Sequence, residues 1–132
     1  MTYLLDTDIC IYILNRPTPN LRSRFEKEPL SELGVSILTE AELYYGALHS
    51  SKPKNNRDRV ESLLSPLTRL PFDSDAAGAF ASIKENLAKR GKMIGAIDML
   101  IAAVARSKNL TLITNNLKHF GEIQGLSIEN WL

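Results

Sequence analysis

Short apolar runs alternate with longer amphipathic stretches along the chain. Tyr3 to Leu5 is apolar and breaks into Asp-Thr-Asp, the pattern of a buried strand feeding a capped helix. That helix, "ICIYILN", stops before Pro17 and Pro19, and "NLRSRFEKE" follows as a second, amphipathic helix. Gly34 to Leu38 is rich in β-formers and predicts the second strand, after which Thr39 starts the helix "TEAELYYGALHS". "NNRDRVESLLS" predicts another helix beyond the break at Pro53, and "LTRLPF" a third strand cut by Pro71. "SDAAGAFASIKENLAKRG" reads as a long helix, capped by Asp73 or Ser74 and ended near Gly91. The segment Ile94 to Ala105, "IGAIDMLIAAVA", is a further helix. It leads to the strand "LTLIT", a turn helix around "LKHF" and an edge strand in "LSIENWL".

Strands separated by helices define an α/β sandwich with a mainly parallel sheet. With 132 residues, no internal repeat and no low-complexity segment, one domain over 1–132 is expected.

Sixteen Lys and Arg against fifteen Asp and Glu leave a formal charge of +1, so no overall field points to nucleic acid. Basic residues do cluster locally, in "KPKNNRDR" and around Lys84, Lys89, Arg90 and Lys92. Solvated helix faces explain such runs more readily than a binding surface does. Cys10 is the only cysteine, which excludes an intrachain disulfide. Two histidines, His49 and His119, without a Cys pair argue against structural zinc. "MTYLLD" lacks the pattern of a signal peptide, and no apolar run reaches the roughly 20 residues of a membrane span. A cytoplasmic protein that does not engage a membrane is expected.

Asp98 breaks this ordinary picture. Every other residue of its segment is apolar or glycine, and a helix apolar on all sides is expected to be buried. A lone buried carboxylate costs several kcal/mol, more than the ~1 kcal/mol that a cap or the helix dipole returns. Ligands of open parallel sheets bind at the carboxyl ends of the strands. Asp6, Glu42, Asp98 and Asn116 all fall there. Each has an ordinary alternative. Asp6 and Asp8 fit helix caps, Thr39 and Glu42 fit a capping box, Asp98 suits a helix N-terminus, and Asn115-Asn116 is turn chemistry. A divalent cation shared by Asp6, Glu42 and Asp98 would stabilise them jointly, since oxygen ligands suit Mg²⁺ or Mn²⁺; an Arg or Lys partner is the competing account. A carboxylate-held Mg²⁺ supports in-line displacement at a phosphate without a His or Ser nucleophile. No G-x-S-x-G, P-loop or G-x-G-x-x-G motif suggests another route.

"LLDTDICIYIL", "VSILTEAELYYG", "IGAIDMLIAA" and "LITNNLKHF", in this order, together with the tail "GLSIENWL", resemble the PIN-domain ribonucleases, and among them the VapC toxins of bacterial toxin–antitoxin pairs. The resemblance covers essentially the whole chain. It implies a three-layer α/β/α sandwich and Mg²⁺- or Mn²⁺-dependent endonucleolytic cleavage of RNA, with tRNA, in particular the anticodon region of initiator tRNA, as the substrate. It assigns the family acids to Asp6, Glu42 and Asp98, and the fourth acidic position to Asn116, where an amide stands in place of the usual Asp. Asp6 and Asp98 would then be metal ligands, and Glu42 a ligand or a positioner of water. Thr7 and Thr114 would hydrogen-bond those ligands, and Lys89, Arg90 and Lys92 would meet RNA phosphates. Asp8, where Asn is more usual, is read as a helix cap, the alternative being added charge near the metal. A cognate VapB-like antitoxin and a homodimer are the implied partners, with "ELYYGALHSS" a candidate contact surface.

Two rivals stay open at this point. "LLDTD" also begins the D-x-D-x-T or D-x-D-x-V motif of aspartate-nucleophile phosphatases, although Cys10 fills the fifth position and the later G-D-x-x-x-D is absent. The other is a PIN-like module that binds RNA or a partner with little turnover, favoured by Asn116.

Overall fold

Five strands form one sheet in the computed structural model, which describes residues 1–132. They are β1 (Tyr3–Leu5), β2 (Leu33–Ser36), β3 (Thr68–Leu70), β4 (Thr111–Ile113) and β5 (Ser127–Glu129). The order is β3-β2-β1-β4-β5, and every neighbouring pair is parallel. The helices are α1 (Thr7–Asn15), α2 (Pro19–Lys27), α3 (Ile37–Leu48), α4 (Pro53–Leu64), α5 (Ser74–Lys89), α6 (Ala96–Ser107) and α7 (Leu117–Phe120). None is long and apolar enough to cross a membrane.

The period-2 alternation of the two central strands produces the three layers. Leu4 and Leu112 join a core with Ile83 and Leu87 of α5 and Ile101 to Ala105 of α6. Leu5 and Ile113, one residue further along, join a second core with Leu21 of α2, Leu43 of α3 and Val60 and Leu64 of α4. These four strand residues are fully buried. Each contributes about 1.5–3 kcal/mol, so a register slip in β1 or β4 would disrupt both layers at once. The expected α/β/α sandwich is what the chain forms.

Two boundaries differ from the sequence expectation, and both bear on the site. The second strand runs Leu33–Ser36 rather than Gly34–Leu38. Ser36 ends the strand and caps α3, its Oγ accepting from the Thr39 N–H at 3.1 Å, so Thr39 is not the cap. The helix carrying Asp98 starts at Ala96, and its burial begins only at Met99. Ile97 is 41% exposed and Met93, just upstream, is 93% exposed. An unbroken apolar pattern predicts burial on all sides, but the first turn of α6 stands proud of the layer that covers the rest of it.

After β1 the chain builds outward to β2 and β3, then crosses back to add β4 and β5 on the other side. The order therefore reverses between β1 and β4, and a crevice opens beyond their carboxyl ends. Asp6 follows β1 directly, and its N–H donates to the Ile113 carbonyl at 2.9 Å across that switch point. Thr114 follows β4 in the same way.

Candidate active site

Asp6 lies at the floor of the crevice and is only 3% exposed. It caps α1 from an extended backbone, with Oδ1 accepting from the Thr7 N–H at 2.7 Å. Its Oδ2 accepts from the Thr114 hydroxyl at 2.8 Å, joining the ends of β1 and β4. Thr114 Oγ1 in turn accepts from the Asn116 N–H at 3.0 Å, which fixes the start of the β4–α7 turn. Burial pushes the Asp6 carboxyl from its ordinary 3.8 up to about 6; the Thr114 and Thr7 bonds oppose the rise, and the charges of Asp8 and Asp98 add to it. Asp6 is thus both a cap and a strained acid.

Glu42 sits in the second turn of α3, because the helix begins at Ile37. The capping-box alternative fails on that count. Its Oε1 accepts from the Thr7 hydroxyl at 2.6 Å, while Thr7 Oγ1 lies 3.0 Å from Thr39 Oγ1 and Ser36 Oγ 3.5 Å from Thr39 Oγ1. Thr7 has one hydroxyl proton and gives it to the carboxylate, so Thr39 is the donor to Thr7. Ser36, Thr39 and Thr7, all buried, form a one-way relay that ends on Glu42.

Asp98, in the first turn of α6, makes no side-chain hydrogen bond and is only partly buried, contrary to the fully buried carboxylate expected from the sequence. Burial still raises its pKa, helped by Glu42 and then Asp8 and opposed by His119. Charges on α1, α3 and α7 thus act on Asp98 of α6, and those of Asp8 and Asp98 act on Asp6, so these helices border one cleft. Asp8 is exposed and does not cap α1, the role expected of it; it adds charge beside Asp6 and Asp98. Asn116 is the side-chain cap of α7, its Oδ1 accepting from the His119 N–H at 3.4 Å.

The chain's other carboxylates provide the contrast. Glu28, Glu32, Glu40, Asp73, Glu122 and Glu129 are all partly withdrawn from solvent, and each is in an ion pair. Asp6, Glu42 and Asp98 are the only buried or partly buried acids without a basic partner. An Arg or Lys counter-charge, the competing account, is therefore absent. The donor set is all oxygen, which suits a hard divalent cation. No three His, Cys, Asp or Glu side chains stand close enough to form a ligand set as they are, so ion binding would require Glu42 or Asp98 to turn inward. Cys10 is fully buried, and burial pushes its thiol well up, so it offers no thiolate.

The basic residues singled out from the sequence are differently placed. Arg90 is tied to Glu122 through an ion pair at 2.8 Å and a bond to the Glu122 carbonyl at 2.6 Å, and Lys92 reaches Glu122 at 4.0 Å. Lys89 is exposed at the end of α5 and makes no ion pair. None of the three bonds to the acidic group. Sequence reasoning missed Ser36 and His119 and read Thr39 as a cap. The spacing Ser36, Thr39, Glu42 carried a signal: three polar residues three apart lie along one face of the helix start.

Fold and site together define a parallel α/β protein with an unneutralised acidic cleft at its switch point. The chain matches the PIN domain family over residues 3–126. It is 43% identical to Ribonuclease VapC2 of Haemophilus influenzae over 132 residues, covering 100% of this chain and 99% of that protein. Identity to the tRNA(fMet)-specific endonuclease VapC of Salmonella typhimurium is 37% over 131 residues, covering 99% of this chain and 98% of that one. Among solved structures, DNA-bound VapBC from Salmonella typhimurium superposes with a TM-score of 0.96 at 36% identity, covering 100% of this chain and 99% of that chain. VapBC2 from Rickettsia felis bound to a promoter DNA fragment gives a TM-score of 0.92 at 33% identity, covering 100% of both chains. The chain belongs to the PIN-domain family, among its VapC ribonucleases.

Proposed function

We propose that this protein is the toxin of a type II toxin–antitoxin pair, a Mg²⁺- or Mn²⁺-dependent endoribonuclease whose substrate is tRNA, in particular initiator tRNA. One observation carries the chemistry: the three partly or wholly buried acids without a counter-charge are those that meet at the switch point. Asp6, Glu42 and Asp98 would hold the ion. When bound, such an ion activates water and neutralises charge on a phosphate.

The chain's own residues supply the rest. Thr114 and the Thr7 N–H hold both oxygens of Asp6, fixing its plane at the floor of the cleft. The hydroxyl relay ends on Glu42 Oε1 through the Thr7 hydroxyl, which would leave the other carboxylate oxygen for the ion or for the attacking water. Asp98 is held by no side-chain hydrogen bond. The tRNA assignment is supported by the relative named as a tRNA(fMet)-specific endonuclease, and a VapB-like antitoxin by the VapBC complexes that share the fold. Tyr45 and Leu48, 65% and 74% exposed on α3, suit a homodimer contact.

Antitoxin-free protein should cut total tRNA into discrete fragments with Mg²⁺ or Mn²⁺. The fragments should disappear with EDTA and in Asp98→Asn. Mn²⁺ should raise the melting temperature of the wild type but not of Asp98→Asn. A folded protein that cuts no RNA with either metal would leave a binding module as the better account.

A further inference from the structure

His119 is exposed on α7 and forms no ion pair. Its turn is nevertheless tied to the floor of the cleft: the Asn116 N–H donates to Thr114 Oγ1 at 3.0 Å, and the Thr114 hydroxyl donates to Asp6 at 2.8 Å. The one side chain bonded to the ring is Asn116. Asn116 Oδ1 accepts from the His119 N–H at 3.4 Å, which turns the amide nitrogen toward the imidazole, with Nδ2 to Nδ1 at 3.1 Å. An amide NH₂ can only donate, so Nδ1 must accept and the neutral ring carries its proton on Nε2. That proton has no partner within the chain. Two of the three cations nearest in sequence to Asp98, Arg90 and Lys92, are already engaged by Glu122.

We infer that His119 contacts substrate, donating Nε2–H to a phosphate oxygen of RNA bound at the acidic cleft, and that Asn116 is the positioning residue that sets its tautomer. The inference rests on the nuclease reading above. It also gives the amide at position 116 a reason. A carboxylate there would only accept, would draw the proton to Nδ1, and would leave Nε2 bare unless the ring became charged.

Single-turnover cleavage of tRNA as a function of enzyme concentration separates binding from chemistry. His119→Ala should raise the half-saturating concentration about tenfold with little change in the maximal rate. His119→Gln, whose terminal amide can supply an N–H, should recover most of that loss. Half-saturation unchanged in His119→Ala, or Gln no better than Ala in folded protein, would overturn the contact. The ¹⁵N shifts of the imidazole test the other half without RNA. Neutral His119 should carry its proton on Nε2 in the wild type, and Asn116→Asp should move it to Nδ1 or charge the ring. A wild-type Nδ1–H form overturns the role of Asn116. A wild type that cuts no RNA fails the nuclease reading and the phosphate contact together, whereas a loss confined to His119→Ala and restored in His119→Gln upholds both.

Discussion

Glu40 and Glu42 stand two residues apart on α3 and lead opposite lives. Glu40 is paired with Arg69 at 2.6 Å and accepts from the Tyr44 hydroxyl at 3.2 Å. Glu42 faces the cleft, where no cation waits and three hydroxyls in series converge on it. A half-turn of helix thus separates a carboxylate that is finished from one that is held ready. The lesson extends to the whole chain: ion pairs complete the periphery, while the switch point keeps its acids uncompensated. Uncompensated charge lowers stability and is found where a ligand repays it.

Substituting the two glutamates tests this most severely. Glu42→Gln should reduce tRNA cleavage by at least about 100-fold, since even partners one step removed from a metal cost 10–100-fold. Equal cleavage by wild type and Glu42→Gln would remove Glu42 from the machinery. The floor of the cleft has a pH signature. The native Asp6 carboxyl titrates at about 6, above its ordinary 3.8, so between those values the native state binds more protons than the unfolded chain. Its contribution to stability is present below the lower value and is lost as pH rises through the upper one, a swing of ~3 kcal/mol. In urea unfolding, the free energy of metal-free wild type minus that of Asp6→Asn should therefore fall between about pH 4 and about pH 6.5. A difference that is flat or that grows over this range contradicts the assignment.

Thr39→Val removes one hydroxyl of the relay at constant shape. Cleavage should drop about tenfold through misplacement of Glu42, and unfolding free energy by ~1 kcal/mol. A loss of stability with full activity would make the relay a packing feature only. The mildest effect belongs to the periphery. Glu40→Gln should leave cleavage unchanged and cost less than ~1 kcal/mol in thermal or urea unfolding, the scale of a partly exposed ion pair.

Much of this organisation was legible in the sequence. Strand positions followed from apolar runs flanked by turn chemistry, and the parallel sheet from their alternation with helices. Asp98 stands out as the one carboxylate of an otherwise apolar helix, and Asp6 and Glu42 because they fall at the carboxyl ends of strands. The reasoning faltered where it needed distances. An apolar stretch around Asp98 looks uniformly buried on a helical wheel, yet the first turn of α6 overhangs the crevice, and the carboxylate that is truly buried is Asp6. The capping-box pattern at Thr39 and Glu42 is a genuine local option, but Ser36 takes the cap because β2 ends at Ser36, two residues before Leu38. His119 escaped notice because a single histidine in a turn has no periodicity to mark it; only its bond to Asn116 gives it a role.

The bond from Thr114 to Asp6 spans 108 positions of the chain. All three acids are translated before the residue that holds the first of them. A nascent chain therefore carries every carboxylate of the cleft while β1 still lacks its neighbour on that side. The cutting edge closes only as β4 is added, near the end of synthesis. Loss of the last strands, by a premature stop or a nick after α6, should yield a protein with its acids intact and its blade unset.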